Sequence, residues 1–196
     1  VLKVIDIPLT NEEYAYAVAK GDAELLASVN SFLAEIKANG KFDEIVNKYF
    51  GDGTPGEVIS ATEDANKDQL VVATSTGFEP FEMVENGKFF GIDLEIAAGL
   101  AKYLNKELVI KDMEFASVVT SVQQGLCDIG MAGLSITPAR EKVVTFSDSY
   151  YSANQVLTVP ASNTEFDACK TADDVVAILN AKTKDCKIGC QKGTTG

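Results

Sequence analysis

Histidine is absent from the 196 residues, which excludes imidazole acid–base chemistry and His-ligated zinc. Cysteine is sparse: the four stand at Cys127, Cys169, Cys186 and Cys190, with no C-x-x-C pair. Zinc-ribbon and thioredoxin-like readings are therefore weak, and neither a metal nor another cofactor is expected. Cys127 precedes an apolar strand and reads as a small core residue. Cys169 and Cys186 flank one predicted helix, a spacing that permits a bridge in an oxidising compartment while leaving the connectivity open. No apolar run approaches the length of a membrane span. Bases are scarce too. Seventeen Lys and Arg face twenty-nine Asp and Glu, a net charge of −12, which argues against nucleic acid and against an anionic membrane surface as partners. The sequence opens at Val1 without Met or a signal sequence, so a processed or engineered product is expected.

What is present is enough apolar material for a core, 46% of residues, in one large domain or two small lobes. Leu2–Ile7 reads as a strand closed by Pro8, and Glu13–Lys20 as a strand buried on both faces. Asp22 is placed to cap a helix whose stripe is Leu25, Val29, Phe32, Leu33 and Ile36, stopped at Asn39-Gly40. A shorter helix carries Phe42, Ile45, Val46 and Tyr49. Gly51–Gln69 loses all apolar period and reads as a flexible acidic linker. From Leu70 the pattern alternates: strand Leu70–Thr74, helix Ile92–Leu104 with Asp93 near its cap, strand Leu108–Ile110, helix Ser117–Gln124, strand Ile129–Ala132. Such alternation implies an α/β fold with a mostly parallel sheet, binding ligands beyond the carboxyl ends of its strands. Asn154–Val159 is a further strand, Thr171–Asn180 a helix capped by Thr171 and Asp174, and Lys187–Cys190 a last strand.

The chemistry gathers at those strand ends. Ser75 and Phe78 follow the first strand, Phe115 the second, Gly133 and Ser135 the third. After Gly133 comes a polar turn, then Pro138 in the first turn of a short helix with Thr137 as N-cap and Arg140 within it. A carbonyl, a hydroxyl, an amide and a guanidinium in this order suit a zwitterion. The first two accept an ammonium, and Arg with a backbone N–H accepts a carboxylate in a bidentate fork. The residues alone equally allow a plain strand–loop–helix connection whose Arg pairs with a surface acid.

The run Ala132-Gly133-Leu134-Ser135-Ile136-Thr137-Pro138-Ala139-Arg140, followed by Val144-Thr145-Phe146-Ser147-Asp148-Ser149-Tyr150-Tyr151, resembles the signature of the family 3 extracellular solute-binding proteins. These are polar amino-acid receptors of ABC importers. Val71–Thr74 with Gly77–Glu82, Gly91–Leu94, and Gly189–Gly196 resemble further family motifs in the correct relative order. Asp22–Phe50 resembles the family's C-terminal helices yet comes first, so the chain resembles a circular permutant.

The resemblance implies a periplasmic-binding-protein-like (type II) α/β fold with lobe 1 complete and lobe 2 partial. Residues 1–12 would end lobe 2, 13–50 form the C-terminal part of lobe 1, 51–69 the linker, 70–152 the N-terminal part of lobe 1, and 153–196 the start of lobe 2. It implies no catalysis, but binding of a free amino acid in an interlobe cleft, as the receptor component of an ABC importer or as an engineered permuted or split derivative of one. Phe78 and Phe115 would clamp the ligand stem. Arg140 would hold the carboxylate with the Ser135 and Thr195 amides, and the Gly133 carbonyl and Ser135 hydroxyl would hold the ammonium. Ser75 and Gln191 stand where relatives often carry charged residues that read the ligand's side chain. A neutral polar or small amino acid is therefore expected. An ABC permease would be the partner, and the parent protein would be periplasmic or a lipoprotein anchored outside the cell. A complementing fragment or second copy is expected to complete lobe 2. The alternative is a dehydratase-like enzyme on the same fold, which would need an acid in the cleft; Glu79 and Glu114 are the only candidates and are expected to face away.

Overall fold

The computed structural model describes residues 1–196. In chain order the first elements are strands β1 (Leu2–Ile5), β2 (Glu12–Tyr14) and β3 (Ala17–Ala19). Glu13–Lys20, expected as one strand, is thus two. The break at Ala15–Tyr16 lets the chain change partners: the Ala15 amide donates to the Leu134 carbonyl, while the Tyr16 carbonyl accepts from the Ser147 amide. Burial is as the sequence implies, with Tyr14–Val18 all in the interior. Helix α1 (Ala23–Ala38) begins where Asp22 accepts a hydrogen bond from the Leu25 amide, and it buries Val29, Phe32, Leu33 and Ile36. It stops at Asn39, and Gly40 takes the left-handed conformation that the junction with α2 (Lys41–Phe50) requires.

Residues 51–68 form no helix or strand, yet they are not the free linker expected. Val58 is buried and bridges Phe89. The Ala61 amide donates to the Leu108 carbonyl, the Ser60 hydroxyl accepts from the Ile110 amide, and the Gly56 amide donates to Glu95. Backbone and small polar groups hold this segment, so an apolar period could not reveal it.

The chain continues through β4 (Gln69–Thr74), β5 (Met83–Glu85), β6 (Lys88–Phe90), α3 (Ile92–Tyr103), β7 (Glu107–Asp112), α4 (Phe115–Gln123), β8 (Ile129–Gly130), α5 (Pro138–Glu141), β9 (Val144–Phe146), β10 (Tyr151–Ala153), β11 (Leu157–Pro160) and α6 (Ala172–Asn180). The β5–β6 hairpin turns on Asn86-Gly87, both at positive φ, the dipeptide that two-residue hairpins favour.

Two compact units result: Tyr14–Tyr151, and Val1–Glu13 with Ser152–Gly196. The larger holds a five-stranded sheet in the order β7-β4-β8-β3-β9. β4 runs parallel to β7 and β8, while β3 is antiparallel to β8 and β9. The β4–α3–β7 crossover moves one way along the sheet, and β7–α4–β8 returns past β4. Right-handed crossovers then put α3 and α4 on opposite faces. One core layer under α4 joins Ala17, Ala73, Val118, Val122, Cys127, Ala132, Leu134 and Val144.

The smaller unit pairs β1 with β11 antiparallel and packs α6 around Ile5, Val159, Phe166 and Val175. Thr171 and Asp174 form a complete capping box at the start of α6. Lys187–Cys190 is not a strand; its one large apolar side chain, Ile188, is 62% exposed and has no sheet to join. All four cysteines are free, so the Cys169–Cys186 bridge is not formed, and Cys127 is buried as a core residue.

Candidate functional site

Three parallel strands end at one edge of the larger unit's sheet, which is where chain reversals leave polar groups for a ligand. β4 delivers Ser75, buried directly after the strand. The Thr76 amide and hydroxyl then donate to the Asp112 carboxylate at the end of β7 (2.8 and 2.5 Å), tying two strand ends together. The loop that follows closes on itself. The Gly77 and Phe78 amides donate to the Glu82 carbonyl, the Phe81 and Glu82 amides to the Phe78 carbonyl. Phe81 is buried, whereas Phe78 stays 38% exposed and stacks on Phe81 with centroids 5.4 Å apart and planes 16° from parallel. Tyr14 meets both rings edge-on, and Phe81 meets Tyr151, which stacks on Phe50. Phe78 therefore presents one face of a continuous aromatic layer.

β8 ends in Met131–Ser135, and here the backbone passes tightly against that layer. Gly133 has φ +51°, and a Cβ on it would lie 2.7 Å from the Phe78 ring. Glycine is needed for both conformation and room. Its amide donates to Asp93 Oδ2 at 2.8 Å. Ser135 is 5% exposed and bridges Tyr14. Its carbonyl accepts from Arg140 Nη1 at 2.7 Å, and the Arg140 amide donates to the Thr137 hydroxyl at 3.2 Å, with Pro138 in the first turn of α5. The guanidinium carbon lies 5.4 Å from the Phe115 ring centroid, a cation–π contact. Ring and turn together fix the bearing of the planar fork, which is what bidentate recognition of a carboxylate demands.

Six of the eight expected groups thus share one sheet edge: Ser75, Phe78, Phe115, Gly133, Ser135 and Arg140. Gln191 and Thr195 belong to the other unit, where both are exposed. The Thr195 hydroxyl donates to the Glu12 carboxylate (2.8 and 2.9 Å) and accepts from Gln155 Nε2 at 3.2 Å. Glu79 and Glu114 are exposed. No cluster of three or more Cys, Asp or Glu is placed to hold a metal ion.

Asp93 is the participant that the sequence hides. An acid in the first turn of a helix ordinarily faces solvent and offsets the helix dipole. Asp93 is instead fully buried, accepting from Gly133 and, at 3.2 Å, from the Tyr16 hydroxyl. Burial pushes its carboxyl up to about 6. Glu82, also fully buried, is raised well above the usual carboxylate range by desolvation and then by the negative charges of Asp93 and Asp112.

The model of the bacterial extracellular solute-binding proteins, family 3, matches residues 5–52 and 70–189. The arginine-binding extracellular protein ArtP of Bacillus subtilis is 37% identical over 48% of this chain and 37% of its own length. The arginine-binding periplasmic protein of Mannheimia haemolytica is 29% identical over 65% of this chain and 47% of its own. An ancestral arginine-binding protein bound to arginine, of known structure, is 38% identical over 43% of this chain and 38% of that one, with a TM-score of 0.42. The chain spans less than half the length of these relatives. Each of these relatives is named as an arginine-binding protein. With an α/β sheet whose strand ends carry the Gly133–Arg140 turn, the chain belongs to the bacterial extracellular solute-binding proteins, family 3.

Proposed function

We propose that this chain is the ligand-binding part of a receptor that captures a free amino acid outside the cytoplasmic membrane and delivers it to an ABC permease, and that the ligand is cationic, arginine first. The observation that carries the reading is the Gly133–Arg140 turn, where a guanidinium braced by Ser135 and Phe115 stands on the same short segment as the Gly133 backbone. Arg140 takes the α-carboxylate, and the Gly133 carbonyl with the Ser135 hydroxyl takes the ammonium. Phe78 and Phe115 flank the stem.

Ser75 alone favours a neutral side chain, since it offers no charge to a cation. Three considerations favour a cation over it. Relatives are named for arginine in Bacillus subtilis and Mannheimia haemolytica and, in Neisseria gonorrhoeae, for histidine. An exposed Phe78 face accepts a flat guanidinium without needing a carboxylate. The net charge of −12 raises the local concentration of cations. We further read residues 14–50 and 70–151, which make up most of the two matched blocks, as segments of one lobe in permuted order, because β3 precedes β4 in the chain yet lies between β8 and β9 in its sheet.

A thermal-shift screen against the proteinogenic amino acids and their D-isomers tests the function. L-Arginine is expected to give the largest rise in melting temperature, followed by other cationic amino acids. A largest shift from a small neutral amino acid would reverse the ligand class, and no shift from any would reject the receptor reading.

A further inference from the structure

Glu82 is wholly buried, and neither of its carboxylate oxygens has a hydrogen-bond partner. Asp93 is as deeply buried but well served, with Oδ1 accepting from Tyr16 and Oδ2 from the Gly133 amide. Two carboxylates in an apolar interior, interacting with each other and facing no cation, cannot both ionise at neutral pH without a large cost. Asp93 has the donors that favour charge; Glu82 has none and keeps its proton. The other titratable groups facing Asp93 are Tyr16 and Tyr150, both raised first by burial and then by the Asp93 charge, while Asp112 acts on Glu82.

Asp93 also stands at a junction. The first turn of α3 grips the aromatic loop by its backbone: the Ile92 amide donates to the Pro80 carbonyl and the Asp93 amide to the Phe81 carbonyl, both at 3.0 Å. The Asp93 side chain grips the Gly133 turn. One residue therefore joins the loop that carries Phe78 to the turn that carries Gly133 and Ser135.

We propose that Asp93 is the positioning residue of this site: its ionised carboxylate latches the Gly133 amide, and proton uptake by Asp93 releases the latch and weakens amino-acid binding in mildly acid conditions. The inference rests on reading the Gly133–Arg140 turn as the ligand site. The functional consequence is a receptor that loads at neutral pH and loosens its hold as the surroundings acidify. Glu82 sets the range, because a neutral neighbour leaves Asp93 free to carry the charge and an ionised one would drive a proton onto it.

The experiment has two arms on the whole chain. In the first, without ligand, the Gly133 amide proton is followed by NMR from neutral to acid pH. It is expected to move upfield as pH falls through about 6, and to stay flat in Asp93→Asn. In the second, L-arginine affinity is measured by calorimetry over the same range. It should drop about tenfold in the wild type, the worth of one charge-assisted hydrogen bond. In Asp93→Asn it should be about tenfold weaker at neutral pH and independent of pH. A Gly133 amide that ignores pH, or a wild-type affinity that stays constant while Gly133 titrates, would overturn the proposal. Both of those readings need no variant, so they stand even where Asp93→Asn does not fold. Binding of no amino acid at any pH, with Gly133 titrating, overturns the positioning role through failure of the site reading and not of the latch.

Discussion

Arg140 is held by a carbonyl on one side and a ring on the other, so removing it takes away a pre-aimed charge and leaves that ring in place. Arg140→Ala is expected to weaken amino-acid binding by about 3–5 kcal/mol, as when one member of a desolvated charge pair is lost. Arg140 is only half-buried, so the melting temperature should fall far less than the affinity does; calorimetric titration and scanning of a folded variant check both. Glu82→Gln concerns stability instead. Its raised pKa means that the folded state binds this proton more tightly than the unfolded state does. The group's stabilising contribution is present below the unfolded carboxylate value and is lost as pH rises through the folded one. Glutamine abolishes that loss. The variant should therefore outlast the wild type at alkaline pH, with the gap closing in acid, as read by scanning calorimetry. The placing of Gly133, Ser135 and Arg140 together at a strand end was legible in the sequence because it is local: the three lie on one short stretch from the end of β8 into α5. Asp93 and Glu82 were not, because what defines them is the passage of β8 beside α3, which no spacing encodes.

Helices were the most readable elements, since stripe and cap agree with each other. The α6 box shows it: the Thr171 hydroxyl accepts from the Asp174 amide, and the Asp174 carboxylate accepts from the Thr171 amide. Thr171→Ala should destabilise the smaller unit by about 1 kcal/mol, a loss that hydrogen exchange in α6 would register while the five-stranded sheet stays unchanged. Equal loosening in both units would contradict the separate cores assigned here. Short strands were less legible. Glu13–Lys20 is apolar throughout and gives no hint that it splits between partners. Residues 51–68 are held by backbone amides, the Ser60 hydroxyl, one buried side chain in Val58 and ion pairs such as Glu57–Lys88, none of which makes an apolar period. Lys187–Cys190 alternates like a strand but finds no neighbour to complete one.

At the scale of the molecule, the two units differ in how much they bury. The larger has a five-stranded sheet covered by helices, the smaller two strands, one helix and a core of four buried residues. Unfolding in urea is expected in two steps, the smaller unit first, because independent cores of unequal size break two-state behaviour. A single coincident transition by fluorescence and circular dichroism would show that they fold as one. The fold class was readable from the alternation of strands and helices after Leu70. The central claim is that an amino acid is gripped at the strand ends of the larger unit. Its most direct test is an NMR titration of the assigned protein with L-arginine. The account predicts that the largest shifts fall on Gly133, Ser135 and Arg140, with Phe78 and Phe115 close behind, and vanish in Arg140→Ala. Saturable shifts centred away from that edge, or undiminished in Arg140→Ala, would contradict it.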